Sequence, residues 1–142
     1  MDNRADIKKQ YKVLEFDDFG DERGNLVVAE GGIDIPFEIK RVFYMYGSDS
    51  DIVRGQHANR RTEFVLINVS GSSKVKVDNG FETDIIELNK PRMGLYITTM
   101  VWKDMYDFSS DSVLLVLASE HYDAEEYIRD YTAFIEEIHG GA

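Results

Sequence analysis

Apolar and polar positions along the chain follow one another in short stretches broken by turn residues. Residues 62–69 form a nearly continuous apolar run, and residues 112–118 are apolar enough to be buried on both faces. Residues 74–78 alternate, with Val75 and Val77 on one face and Lys74 and Lys76 on the other. Residues 25–30 follow a turn around Asp21–Gly24, and residues 37–45 are rich in aromatic and β-branched side chains. Residues 83–88 and 94–101 complete the set of predicted strands. Asp78-Asn79-Gly80 predicts a hairpin, because Asn-Gly tolerates the positive φ angles of a type I′ turn. Many short strands at regular spacing predict an all-β sandwich or barrel.

Near the end of the chain the period changes. Asp123 with Glu126 reads as a capping box. After it Tyr127, Tyr131, Phe134, Ile135 and Ile138 recur at helical spacing, and Gly140-Gly141 closes the pattern. This predicts a short C-terminal helix packed on the barrel or on a partner chain. No repeat or linker divides the 142 residues, so a single domain spanning 1–142 is expected.

Composition narrows the function classes. With no cysteine, disulfides, thiolate metal sites and cysteine nucleophiles are excluded. No apolar stretch reaches membrane-spanning length, and the charged opening residues do not read as a secretory signal, so the expectation is a cytoplasmic protein with no membrane partner. The net charge of -11 opposes nucleic-acid binding. Against that background Arg41, Arg54, Arg60 and Arg61 crowd one short region. They suit a small anion; ion pairing with neighbouring carboxylates is the alternative.

The chemistry concentrates in Arg54-Gly55-Gln56-His57-Ala58-Asn59-Arg60-Arg61-Thr62-Glu63-Phe64, which leads into the apolar run ending at Val69. Residues two apart on a strand share a face, so His57 and Asn59 point the same way, with Arg61 if the strand is already regular there. One histidine with Glu63 is too small a ligand set for a transition metal, and His121 and His139 lie far along the chain, so no metal is expected.

The stretch Arg54 to Asn59 resembles the Arg-Gly-x-His-Ala-His signature of the dTDP-4-keto-6-deoxyglucose 3,4-ketoisomerases. The resemblance extends through Ile35 to Tyr44, Gly94-Leu95-Tyr96, Val101 to Ser109, Val116 to Ser119, and Asp123 to Tyr131. It implies an RmlC-like cupin: a double-stranded β-helix, or jelly-roll barrel, with a short C-terminal helix. It also implies a homodimer without cofactor, acting on a dTDP-linked keto-deoxysugar that supplies a bacterial surface glycan. The reaction removes a proton between carbonyl and hydroxyl carbons, passes through an enediolate, and returns a proton to the neighbouring carbon. That calls for a general base of near-neutral pKa, donors at the developing oxyanion, and cations at the diphosphate. By position, His57 matches the first active-site histidine. Arg41, Arg54 and Arg61 are candidates for the diphosphate or sugar, and Tyr44 and Trp102 for the pocket wall.

The sequence also departs from that pattern. Asn59 stands where the family has its second histidine, and an amide cannot exchange a proton near neutral pH. Lys103 and Tyr106 replace two later histidines, and Phe64 replaces a glutamine. Three readings stay open: a ketoisomerase whose base has moved to His57, Lys103, Asp104 or Tyr106; an epimerase of a related keto-sugar nucleotide; or a binding module that lost the chemistry. Trp102, Asp104 and Tyr106 share one strand face and Lys103 takes the other, so they cannot all reach one sugar.

Overall fold

The alternating stretches pair into two antiparallel sheets in the computed structural model, which describes residues 6–140. In chain order the strands are β1 (Tyr11–Glu15), β2 (Arg41–Tyr46), β3 (Arg54–Asn59), β4 (Phe64–Ser70) and β5 (Ser73–Asp78). There follow β6 (Thr83–Leu88), β7 (Met93–Ile97), β8 (Trp102–Tyr106), β9 (Val113–Ala118), β10 (Tyr127–Ile128) and the helix α1 (Tyr131–Gly140). One sheet runs β1-β7-β4-β9-β2 and the other β10-β3-β8-β5-β6. This is the expected all-β jelly-roll architecture with a short C-terminal helix.

The core lies between the sheets. Phe64 and Leu66 of β4, Val75 and Val77 of β5, Leu95 and Ile97 of β7, and Leu114 and Val116 of β9 are all buried there. The outward residues of β4 and β9, Val65, Ile67 and Leu117, are covered by Phe16, Ile35 and Phe37. That second cluster explains why the run 62–69 carries no polar alternation: both faces of β4 are shielded from water. A third cluster, Ala58, Trp102, Ile128, Phe134 and Ile138, seats α1 on the other sheet.

Several sequence expectations change. Residues 25–30 form no strand; within them only Val27 makes an isolated bridge, to Asp18. The 37–45 stretch becomes a strand only at Arg41, since Phe37 serves the outer cluster. The 94–101 stretch breaks after Ile97, and Met100 turns the chain with φ 57. The residues leading into β4 are a strand in their own right, β3, in the opposite sheet. The Asn-Gly hairpin exists, but its loop is four residues long, 79–82. Only Gly80 takes positive φ there, while the Asn79 side chain accepts from the N–H groups of Phe81 and Glu82. At the C-terminal end Asp123 caps a 3-10 turn, Ala124–Glu126, by accepting from Glu125 N–H. Tyr127 then pairs with Asn59 in β10, and the helix starts only at Tyr131. Gly141 lies outside the described residues.

Candidate active site

The site begins with an irregularity in β3. Gly55 has φ 82 and Gln56 has φ 56, and the register against β8 shifts between Gly55 and His57. A Cβ on Gly55 would stand 2.6 Å from the Met105 methyl and 2.9 Å from the Lys103 carbonyl oxygen. Only glycine fits that turn, and the bulge it allows sets His57 directly across from Lys103.

His57 and Lys103 open into a cavity of about 200 Å³ between the sheets. Its wall is apolar: Phe43, Met45, Phe64, Leu66, Met105 and Val116. Its polar groups are Arg54, His57, Lys103 and Arg129. A few polar groups converging on an apolar cleft is the usual form of a small-molecule site.

Lys103 is 2% exposed, yet it makes no ion pair among the described residues. Its Nζ lies 3.4 Å from Asn59 Oδ1 and 4.9 Å from the centre of the Phe64 ring. Burial disfavours the ammonium and pushes the amine down to about 7, with the Glu126 charge opposing. His57 packs its ring edge against Tyr127 at 4.9 Å, and its Nδ1 is buried without a hydrogen-bond partner. Burial, then the positive charges of Lys103 and Arg129, push its imidazole down to about 3. At neutral pH His57 is therefore an uncharged ring, while Lys103 is poised between amine and ammonium.

Beneath this pair lies Glu126, which the sequence pattern assigns to a helix cap. Its carboxylate is buried and accepts from Asn59 Nδ2 at 2.6 Å, Arg61 N–H at 2.9 Å, Thr62 N–H at 3.2 Å and the Thr62 hydroxyl. Burial opposes its ionisation, but the Thr62, Arg61 and Asn59 hydrogen bonds outweigh it and hold the carboxyl below its ordinary range.

The arginines sort into two groups. Arg60 pairs with Glu137 and Arg61 with Asp123, so the ion-pair alternative holds for these two. Arg41, Arg54 and Arg129 have no carboxylate partner among the described residues. Arg41 donates from Nη2 to the Tyr127 hydroxyl at 3.1 Å, with its guanidinium 5.3 Å from the Phe43 ring and 5.5 Å from the Tyr122 ring. Arg129 lies 4.6 Å over the Tyr127 ring and donates to the Tyr122 hydroxyl. Three unneutralised cations thus stand beside the cavity of a chain with net charge -11.

Other predicted residues lie elsewhere. Alternation along β8 turns Lys103 and Met105 inward and Trp102, Asp104 and Tyr106 outward. Trp102 packs on Tyr131 and Phe134 under α1. Asp104 stands opposite Lys76 of β5, and Tyr106 opposite Lys74. Tyr44 is 62% exposed on the outer face of β2, stacked on Tyr46. Arg61 faces Asp123 outside the cavity. Among the described residues no three His, Asp or Glu gather into a metal-binding group. The sequence reading missed Arg129, Tyr127, Tyr122 and Glu126, because the helical period absorbed Tyr127 and capping absorbed Glu126. The available signal was Arg129 itself, a lone cation in the acidic stretch Asp123 to Asp130.

Residues 9–139 match the FdtA family, described as WxcM-like, C-terminal. The chain belongs to this family. A TDP-4-oxo-6-deoxy-alpha-D-glucose-3,4-oxoisomerase of Aneurinibacillus thermoaerophilus is 45% identical over 123 residues, 87% of this chain and 88% of that protein. A histidine-to-asparagine variant of a 3,4-ketoisomerase from Thermoanaerobacterium thermosaccharolyticum, crystallised with TDP-4-keto-6-deoxyglucose, is 46% identical with a TM-score of 0.90. It covers 92% of this chain and 95% of its own. A 3,4-ketoisomerase from Helicobacter canadensis is 43% identical with a TM-score of 0.89, covering 91% of this chain and 97% of its own. Within the FdtA family this chain combines the His57 ring with a buried amine at Lys103 in one apolar cavity.

Proposed function

We infer that this chain is a nucleotide-sugar 3,4-ketoisomerase acting on a TDP-linked 4-keto-6-deoxyhexose. The observation that carries the reading is the opposition of Lys103 and His57 in the cavity, in a chain whose family relatives over nearly its full length are 3,4-ketoisomerases. A base works best when its pKa lies near the working pH, which favours Lys103 over the strongly depressed His57. The neutral Lys103 amine takes the proton from C3, and the electron pair moves into the C3–C4 bond as O4 gains charge. His57, uncharged, donates a hydrogen bond to that oxygen. The Lys103 ammonium then returns its proton to C4 while the C3 hydroxyl proton passes to O4, leaving the carbonyl at C3 and a hydroxyl at C4. No atom is gained or lost.

Lys103 acts as a proton carrier and not as a Schiff base. An imine at C4 would keep nitrogen on C4 when the carbonyl moved to C3, and the sugar could not leave. Arg54, Arg129 and Arg41 meet the diphosphate, where arginine forks are the best-matched donors. No cofactor or metal enters this scheme. A cytoplasmic role in supplying a deoxysugar for a surface glycan belongs to the same reading.

Proton NMR with TDP-4-keto-6-deoxyglucose in deuterated water tests it. A 3-keto product carrying deuterium at C4 is expected. Deuterium uptake without a 3-keto product would favour an epimerase, and binding of TDP without exchange a non-catalytic module.

The same reading includes a homodimer, with its contact on the outer face of β2. Val42, Tyr44 and Tyr46 form an apolar stripe along this edge strand, exposed by 54%, 62% and 72%. Apolar stripes of this kind mark association surfaces. Tyr44→Asp should shift the mass measured by light scattering from dimer to monomer; an unchanged dimer would move the contact elsewhere.

A further inference from the structure

We propose that the proton leaves C3 and enters C4 on one and the same face of the sugar ring, so that the product of this chain carries an axial 4-hydroxyl, the galacto arrangement. The proposal rests on the ketoisomerase reading and adds to it the stereochemistry at C4. It does not depend on which group of the cavity carries the proton, only on which wall holds that group.

The cavity is chemically one-sided. Every polar group that lines it belongs to the sheet containing β10, β3 and β8: Arg54 and His57 from β3, Lys103 from β8, and Arg129 directly after β10. The facing sheet contributes Phe43 and Met45 from β2, Phe64 and Leu66 from β4, and Val116 from β9. None of these five side chains carries an exchangeable proton. Along the same faces of β2 and β4 the polar residues are Arg41 and Asn68. Asn68 is fully buried beyond Leu66 and does not line the cavity. It accepts from the Ser73 hydroxyl and donates to Ser112 Oγ at 2.8 Å and to the Ser70 carbonyl at 3.2 Å. Arg41 reaches across to the Tyr127 hydroxyl of β10, and a guanidinium does not release its proton in a protein. The apolar wall also lacks the polar partners that hold a water in place.

The shape of the sugar then fixes its orientation. In the chair of a 4-keto-6-deoxy-α-D-glucose, the diphosphate oxygen on C1 and the hydrogen on C3 are both axial and lie on the same face. The cations suited to the diphosphate, Arg54 and Arg129, share their wall with His57 and Lys103. The ring therefore lays that face on β3 and β8 and turns its other face to Phe64 and Leu66. When the C3 hydrogen leaves as a proton, its electron pair forms the C3–C4 double bond and the C4 carbonyl pair moves to O4. The enediolate is flat at both carbons, and a carbon accepts a proton only along the perpendicular to that plane. From the polar wall this direction leads to the face just vacated. The C4–H bond forms there, the hydroxyl proton passes from O3 to O4, and the carbonyl closes at C3. Hydrogen on that face of C4 is equatorial, which leaves the 4-hydroxyl axial. Delivery to the opposite face would give the equatorial 4-hydroxyl of the gluco arrangement, and it would need a proton source among Phe43, Phe64 and Leu66.

The coupling between the hydrogens on C4 and C5 of the product tests this. The parent protein is given TDP-4-keto-6-deoxy-α-D-glucose in ordinary water, and proton NMR spectra are taken from the first turnovers, before further enolisation of the product can scramble C4. The C5 hydrogen is axial. An axial 4-hydroxyl sets the two hydrogens gauche, and the small coupling of that arrangement is expected. A 3-keto product with the large coupling of two axial hydrogens, alone or mixed with the other epimer from the first spectrum, would overturn the proposal and leave the ketoisomerase reading standing. The absence of any 3-keto product would remove both.

Discussion

Lys103 shows how a side chain takes its role from its surroundings. An amine buried over Phe64 without a carboxylate beside it costs the fold stability as long as it must be charged. Its folded pKa of about 7 lies below the unfolded value of 10.5, so the unfolded chain binds more protons between those limits. The penalty is full below pH 7 and fades as pH rises toward 10.5. Lys103→Met should therefore raise the unfolding midpoint in urea more at pH 6 than at pH 10. The same variant should lower kcat by ~10²–10⁴-fold, the usual worth of a general base, while TDP still binds by calorimetry. The sign for His57 is analogous. Its depressed pKa of about 3 makes the fold lose stability as pH falls from 6.5, and His57→Gln should flatten that loss in an acid denaturation curve. The sequence made His57, Asn59 and Lys103 legible because strand alternation and one motif name them. It could not show Glu126 beneath them, since that contact joins residues 67 apart in the chain.

At the scale of elements, the bulge in β3 and the C-terminal arm together build the cavity. Gly55→Ala would force a Cβ into the Lys103 carbonyl and the Met105 methyl. It should cost more than ~1 kcal/mol by urea unfolding and lower kcat by breaking the His57–Lys103 opposition. Phe134 is fully buried between α1 and Trp102, and Phe134→Ala should cost about 3–5 kcal/mol. Apolar runs were enough to find β4, β5, β6 and β9, whose faces are set by burial. They could not find β1, which spans Tyr11–Glu15 and keeps Lys12 and Val13 exposed at a sheet edge. They also joined residues 94–101, because Met100 and Val101 are apolar although the backbone turns there. Tyr127 fitted a helical period by position, yet the cross-strand bond with Asn59 won.

For the molecule as a whole, charge distribution decides how an anionic substrate approaches. A net charge of -11 repels a nucleotide diphosphate at long range, and Arg54 and Arg129 in the cavity wall, with Arg41 beside the Phe43 ring, oppose that field locally. Arg129→Ala and Arg54→Ala should each raise KM for the nucleotide sugar several-fold while leaving kcat largely intact, read from initial rates at fixed ionic strength. Arg61→Ala, which only loosens the pair with Asp123, should leave KM unchanged.

The buried lysine also makes the protein chemically addressable at one point. Electrophiles such as cyanate react with free amines and ignore ammonium ions. At pH 7 surface lysines such as Lys8 and Lys74, whose pKa values are raised by Asp84 and Asp107, are almost wholly protonated. Lys103, titrating at about 7, is free amine for a substantial share of the time, and its cavity admits a molecule of three atoms. Brief carbamoylation should therefore mark Lys103 ahead of every lysine on the outside, and bound nucleotide sugar should shield it.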